Sequence, residues 1–161
     1  GVQTCALPIY ADVVLMAAEA YNETGTDRQK AWDLLNSVRT RAEATSITEA
    51  NYDEMMSIRK KTHNLTFIDD STPEGKFRTA LYWERGFELA FEGQRKYDLI
   101  RWGVLGKALK LFGEISSVNQ KENKPYPAYR NFTEGKHELF PIPLKEIQSN
   151  PKLNGMNNNG Y

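Results

Sequence analysis

The residues best equipped for chemistry lie between Trp83 and Gly103, in the run WERGFELAFEGQRKYDLIRWG. Glu84, Glu88 and Glu92 recur every four residues, so a helix would stack them in one nearly vertical acidic row. Arg95, Asp98 and Arg101 recur every three, which also sets them on one helical face. Gly93 stands between the two runs, where a left-handed residue can end a helix. Trp83, Phe87, Phe91, Tyr97 and Trp102 are interleaved with these charges. Three chemistries suit such a mixture: paired carboxylates for glycoside hydrolysis, glutamates for a metal centre, and a structural network of ion pairs.

Hydrolysis is poorly served by the spacing. A retaining glycosidase holds its two carboxyl groups about 5 Å apart, which an i,i+4 pair can meet, but the two must flank the substrate from different sides. One helical row presents them side by side. A metal centre is served worse, because a di-iron site in a bundle needs Glu-x-x-His pairs on facing helices. Neither His63 nor His137 sits in one. The structural reading remains. Like charges at i,i+4 destabilise a helix unless cations face them, and Arg85, Arg95 and Arg101 are within reach in the sequence. Arginine forks pair bidentately with carboxylates and tolerate burial beside aromatic rings. Glu84, Arg85, Glu88, Glu92, Arg95, Asp98 and Arg101 are therefore expected to form an ion-pair lock between two helices, with no catalytic residue and no metal ligand among them.

The rest of the chain must position this stretch. Its 161 residues are 40% hydrophobic and 26% charged, values of a globular chain long enough for one sizeable core. Lys plus Arg and Asp plus Glu each number 21, so neither nucleic acid nor an anionic membrane is favoured as a partner. No run approaches the roughly 20 apolar residues of a membrane-spanning helix. The first nine residues, GVQTCALPI, back-translate to GGAGTTCAGACGTGTGCTCTTCCGATC, which resembles a common short-read sequencing adapter. Residues 1–9 are accordingly taken as non-native and residues 10–161 as one region. Cys5, the single cysteine, falls in the non-native piece, so cysteine usage says nothing about compartment.

Residues 10–23 predict a helix with Val14, Ala17, Ala18 and Tyr21 on one stripe. Gly25 ends it, and Thr26 with Gln29 reads as the capping box of the next helix. Ala31, Leu34, Leu35, Val38 and Ala42 supply that helix's buried face. A turn this short makes the two helices antiparallel neighbours. Ala18, Tyr21, Ala31 and Leu35 approximate a tetratricopeptide unit, although no second copy appears at a period of ~34 residues. A short helix over 49–61 follows. Thr72, Pro73 and Glu74 open a long central helix that runs to Gly93, apolar at Phe77, Ala80, Leu81, Phe87, Ala90 and Phe91. Short helices are expected over 95–102 and 107–112. Residues 113–135 read as a surface loop studded by Tyr126, Tyr129 and Phe132, rings that either stack on a ligand or pin the loop to the core. HELFPIP reads as extended because its prolines block a helix, 144–148 as a last helical turn, and MNNNGY as a polar tail.

Taken in order, YADVVLMAAEAYNE, LLNSVRTRA, ERGFELAFEGQRKYDLIRWG, LFPIPLKEIQSNPKL and the closing NNNGY resemble the C-terminal region of the SusD/RagB family, over nearly all of residues 10–161. Gly86 departs from the pattern where a second arginine is common, and Lys96 where a bulky or aromatic residue is. The resemblance implies a mainly α fold: the C-terminal fragment of a larger α domain, with a tetratricopeptide-like helical hairpin, packed helices and long loops. It implies a non-enzymatic protein, lipid-anchored on the outward face of the outer membrane of Bacteroidota-type bacteria. Such a protein captures oligosaccharides or other nutrients for import through a SusC-like TonB-dependent transporter. No cofactor is called for, and the membrane is met only through an N-terminal lipid anchor upstream of this sequence. The family's ligand contacts lie mostly upstream and match no motif here. From the physics of rings on loops, Tyr126 and Tyr129 are the candidate glycan contacts, and Trp83 and Trp102 are expected in the core. A tetratricopeptide-type protein-interaction adaptor is the alternative, with a glycoside hydrolase third. Val13, Met16 and Phe87 are expected to be exposed, because their packing partners belong to upstream helices.

Overall fold

Asp27 and Thr72, each followed by helix-forming sequence, mark where the chain turns into its two best-defined helices. The structure, a computed structural model, describes residues 6–119 and 127–161. Every regular element among the described residues is helical: α1 (Ala6–Thr24), α2 (Arg28–Arg41), α3 (Tyr52–Thr62), α4 (Pro73–Glu88), α5 (Arg95–Arg101), α6 (Leu105–Asn119), α7 (Pro127–Arg130) and α8 (Leu144–Ser149), with a 3-10 turn over Pro151–Leu153. The fold is mainly α, as expected from the sequence. The chain divides into two compact units, the first ending at Asp98 and the second running from Leu99 to Tyr161.

In the first unit α1 and α2 form the expected hairpin. α1 begins at Ala6, earlier than the sequence pattern suggests. Its buried face is Ala11, Val14, Leu15, Ala18 and Asn22, whose spacing of three and four is that of one helical stripe. Ala17 is only half-buried and Tyr21 is exposed. Gly25, at φ +66°, closes α1 with its N–H on the Asn22 carbonyl. The cap of α2 is Asp27 rather than Thr26: its Oδ1 accepts from the Lys30 N–H at 2.9 Å. A carboxylate satisfies an orphan N–H and also suits the positive end of the helix dipole, which a threonine hydroxyl does not. Gln29 instead donates to Asp33 at 2.9 Å.

Trp32, which the expected buried face of α2 omitted, is 3% exposed. Its ring meets Phe77 of α4 edge-on, with centroids 5.0 Å apart. Through Phe77, Ala80 and Leu81, all buried, α4 lies against both helices of the hairpin. The start of α4 follows its sequence signals: Thr72 Oγ1 accepts from the Gly75 N–H at 3.1 Å, and Pro73 sits at the first helical position. Gly75 is obligatory, since a Cβ there would stand 1.6 Å from the Asp69 carbonyl oxygen. Between α2 and α3, Asn36 exchanges two 2.8 Å hydrogen bonds with the backbone of Ile47, which holds that side chain in the core at 1% exposure. Val13, Met16 and Phe87 are exposed, as expected.

The second unit departs further from the sequence expectations. α6 passes through Gly113 to Asn119 instead of ending at residue 112. Leu99 in α5, Val104 before α6, and Leu105 and Ala108 within it are buried apolar residues of this unit. The closing MNNNGY is not a free tail. Asn157 Oδ1 accepts from the Ile142 N–H at 2.7 Å, Asn158 Nδ2 donates to the Phe140 carbonyl at 2.6 Å, and the Tyr161 hydroxyl donates to the Leu139 carbonyl at 3.1 Å. Side chains thus supply the partners that a neighbouring strand would give the proline-interrupted segment, whose backbone groups need satisfying.

Trp32→Ala should remove the ring contact between α2 and Phe77 of α4 and lower stability by about 3–5 kcal/mol, read as a shift of the urea unfolding midpoint at unchanged slope.

Candidate functional site

Arg85 is the most buried arginine of the charged stretch, 4% exposed, and Asp98 beside it is 3% exposed. Arg85 Nε donates to Asp98 Oδ2 at 2.8 Å, and its Nη2 lies 2.8 Å from Asp12 Oδ1. One guanidinium therefore draws α1, α4 and α5 together. Beside it, Arg39 Nη1 donates to Glu84 Oε2 at 2.5 Å while its Nε and Nη2 donate to the Thr45 carbonyl at 2.9 and 2.7 Å. Arg41 forms an ion pair with Glu88. The cations that face the glutamate row thus come from the last turn of α2. The sequence carries a signal for them, two arginines at a helix C-terminus, but nothing in it says which helix they approach.

The other members of the sequence-derived group lie apart. α4 ends at Glu88, Phe91 takes φ +68° and Gly93 φ +77°, so the chain leaves the helix before Glu92. The row therefore has two glutamates on the helix, and Glu92 stands beyond it, exposed. Arg95 turns to Tyr82: its Nη1 donates to the Tyr82 carbonyl at 2.9 Å and its guanidinium carbon lies 3.8 Å from the ring centroid. It does so across Gly86, where a Cβ would sit 3.5 Å from that same carbon. A second arginine at position 86 would bring a like charge onto Arg95; glycine leaves a bare helix face for it. Arg101 lies over the Trp102 ring at 4.7 Å. Trp83 is half-buried and stacks on Phe87, with the Arg59 guanidinium over both rings. Trp102 is also half-buried.

Burial pushes the Glu88 carboxyl above its ordinary range, and the neighbouring Glu84 adds to this, while Arg41 opposes it. The ion pair does not return what desolvation takes, as is common for partly buried pairs. Such a row of arginine-paired acids has no free carboxylate placed opposite another for hydrolysis. Among the described residues no group of three or more His, Cys, Asp and Glu is arranged to hold a metal.

A different place offers room for a ligand. The second unit contains a cavity of about 440 Å³, within the range of small-molecule sites. Leu99, Ile100 and Leu105 give it an apolar base, Tyr129 and Phe132 a wall, and Lys107, Lys110, Glu134 and Glu138 its polar groups. Gly106 and Gly113, seven residues apart, lie on one face of α6. A Cβ on Gly106 would be 2.7 Å from Phe132 Cε1, and one on Gly113 would be 3.0 Å from Tyr129 Cδ1. The rings are set into glycine notches, so they both pin the segment and face the cavity. Of the two sequence-nominated contacts, Tyr129 lines this cavity and Tyr126 lies outside the described residues. Phe132, Glu134 and Glu138 were not nominated. Phe132 shares the three-residue spacing of the tyrosines, whereas nothing in the sequence singles out the two acids.

Comparison with known proteins now bears on these features. The sequence profile of the SusD family matches residues 3–161. The chain belongs to the SusD family. SusD-like protein P25 of Formosa agariphila is 37% identical over 153 residues, covering 94% of this chain and 24% of the relative. SusD-like protein P2 of the same organism is 33% identical over 152 residues, covering 94% of this chain and 25% of the relative. The chain thus spans about a quarter of the length of these SusD-like relatives. No solved structure matches it at comparable stringency.

Two outcomes follow from the lock. Arg85→Leu strands the buried Asp98 and should cost about 3–5 kcal/mol, much of it recovered in the Arg85→Leu/Asp98→Leu double variant, as measured by a chemical-denaturation double-mutant cycle. For Glu88 the folded carboxyl binds its proton more tightly than the unfolded one. This group's contribution therefore improves as pH falls through the raised folded value and levels off below the ordinary value of 4.5. Glu88→Gln should accordingly melt at or above the parent at pH 7 and converge with it near pH 4, in thermal melts across that range.

Proposed function

We propose that the chain is part of a non-enzymatic protein that binds oligosaccharides or other nutrients at the outer-membrane surface and passes them to a SusC-like TonB-dependent transporter. Membership of the SusD family carries this reading, because that family as a class serves glycan and nutrient binding without catalysis. The two site descriptions support it in different ways. The charged stretch, which could have been a hydrolytic centre, spends Glu84, Glu88, Arg85 and Asp98 on one another and on Arg39, Arg41 and Asp12. The cavity beside Tyr129 and Phe132 has the volume and the mixture of rings and polar groups that suit a bound sugar. No helix among the described residues is long and apolar enough to cross a membrane. In this proposal the protein is held at the outward-facing surface by an N-terminal lipid anchor, and residues 10–161 are a C-terminal region of the larger domain.

The protein should retain one or more oligosaccharides in affinity electrophoresis and release no new reducing ends on prolonged incubation with them. Product release from a bound oligosaccharide would overturn the non-enzymatic assignment.

A further inference from the structure

We infer that the face of α3 and α4 built around Arg59 is a docking surface for the upstream part of the same protein, and that this part brings an aspartate or glutamate to the Arg59 guanidinium. The inference is independent of the glycan reading. Arg59 stands in the last turn of α3. Its guanidinium carbon lies 5.1 Å from the Trp83 ring centroid and 4.5 Å from that of Phe87, over two rings that are themselves stacked at 5.9 Å. Its side chain has no hydrogen bond and no ion pair among the described residues. A guanidinium lying over rings has its fork of N–H donors left for an acceptor, and a carboxylate fits that fork.

The carboxylates nearby are already engaged. Glu84 is paired with Arg39 and Glu88 with Arg41, so Arg59 leaves this face with one positive charge in excess. Burial, and then the like charge of Arg39, hold Arg59 below the ordinary arginine range against the pull of Glu84. A carboxylate from outside the described residues removes that cost.

The surroundings have the composition of an interface. Phe87 is 52% exposed, and Ile58, beside Arg59 in the chain, is 75% exposed. Phe91 is wholly exposed at φ +68°. A bulky side chain resists that backbone region, and such strain persists where surrounding structure over-determines it, which burial of the ring by a partner supplies. Arginine and large aromatic rings together are the usual anchors of interfaces.

The length of the relatives points to the occupant. The chain spans about a quarter of their length, and by its resemblance to the C-terminal region of the family the remainder precedes Tyr10. That remainder is joined directly to α1, which exposes Tyr10, Val13 and Met16 on the side away from its buried stripe. A tethered segment meets the first unit at a high effective concentration that a separate partner lacks. Packing on Phe87 alone would ask only for an apolar contact; Arg59 adds the requirement of an acid.

The test is carbodiimide coupling of the full-length Arg59→Lys protein, read by peptide mass spectrometry. Lys60, at 3.0 Å from Asp53 and 2.8 Å from Asp70, is the internal control for coupling. The new amine at position 59 should form an amide with an aspartate or glutamate upstream of Tyr10, within one molecule. If Lys60 couples while position 59 couples to nothing, to Glu84 alone, or only to a second molecule, the upstream acid is overturned. In parallel, Phe87→Cys in the full-length protein should react with a maleimide at least about 100-fold more slowly when folded than when unfolded in urea. Reaction at the unfolded rate overturns the docking surface itself, and slowing that requires an added transporter assigns the face to that partner instead.

Discussion

An arginine taken out of water must recover several kcal/mol of lost hydration, and a single carboxylate seldom supplies it. Arg85 has two, Asp98 on one side and Asp12 on the other. These come from different helices, so the compensation exists only when α1, α4 and α5 are all in place. That condition makes the pair of contacts a constraint on the fold rather than a bonus to it. Moving α5 away exposes Asp98 but leaves Arg85 half-satisfied, which is worse than either group alone in water. The hairpin of α1 and α2 is then tied to α4 twice more, by Arg39 on Glu84 and Arg41 on Glu88.

Apolar packing and ion pairing divide the work along α4. Its first half is anchored by Phe77, Ala80 and Leu81, buried against the hairpin, where Trp32 fills the largest volume. Its second half holds Glu84, Arg85 and Glu88, whose partners fix rotation as well as distance because each guanidinium is directional. Non-directional burial alone would let α4 slide by a turn and still cover its apolar stripe. The charged half forbids that slide, since a shift by one turn would put Glu84 where Glu88 meets Arg41 and strand Arg85. Glu88 shows the cost of this arrangement, since burial raises its carboxyl above the ordinary range against the pull of Arg41.

How much of this was legible in the residues depends on whether the signal is local. Helix starts at Thr72 and Pro73, the turn at Gly25, and the hairpin itself come from capping and propensity within a few residues, and all are seen. The mainly α class follows from the same signals. Errors arise where a distant partner decides. Trp32 is missing from the expected buried face of α2, and it is buried with the Phe77 ring of α4 against it. The glutamate row suggested Arg95 and Arg101 as partners because they are near in sequence, whereas Arg39 and Arg41 are near in space. Gly113 looked like the end of a helix, but in α6 it is a notch for the Tyr129 ring, and glycine in a helix is otherwise a destabilising choice. The same logic hid Glu138, whose neighbours give no hint of a cavity.

Glycine therefore does two opposite jobs in this chain, and telling them apart explains the second unit. At Gly103, with φ +67°, it allows a backbone conformation that other residues resist, and α6 can begin directly after α5. At Gly106 and Gly113 the backbone is helical and any residue would be conformationally allowed; what a side chain would cost there is the space that Phe132 and Tyr129 occupy. The helix gives up some intrinsic stability at two positions and gains two rings seated against its backbone. Because those rings are fixed from behind by α6, the wall they give the cavity is shaped by contacts that do not include a ligand. A wall built in advance is what distinguishes this cavity from a gap between poorly packed elements.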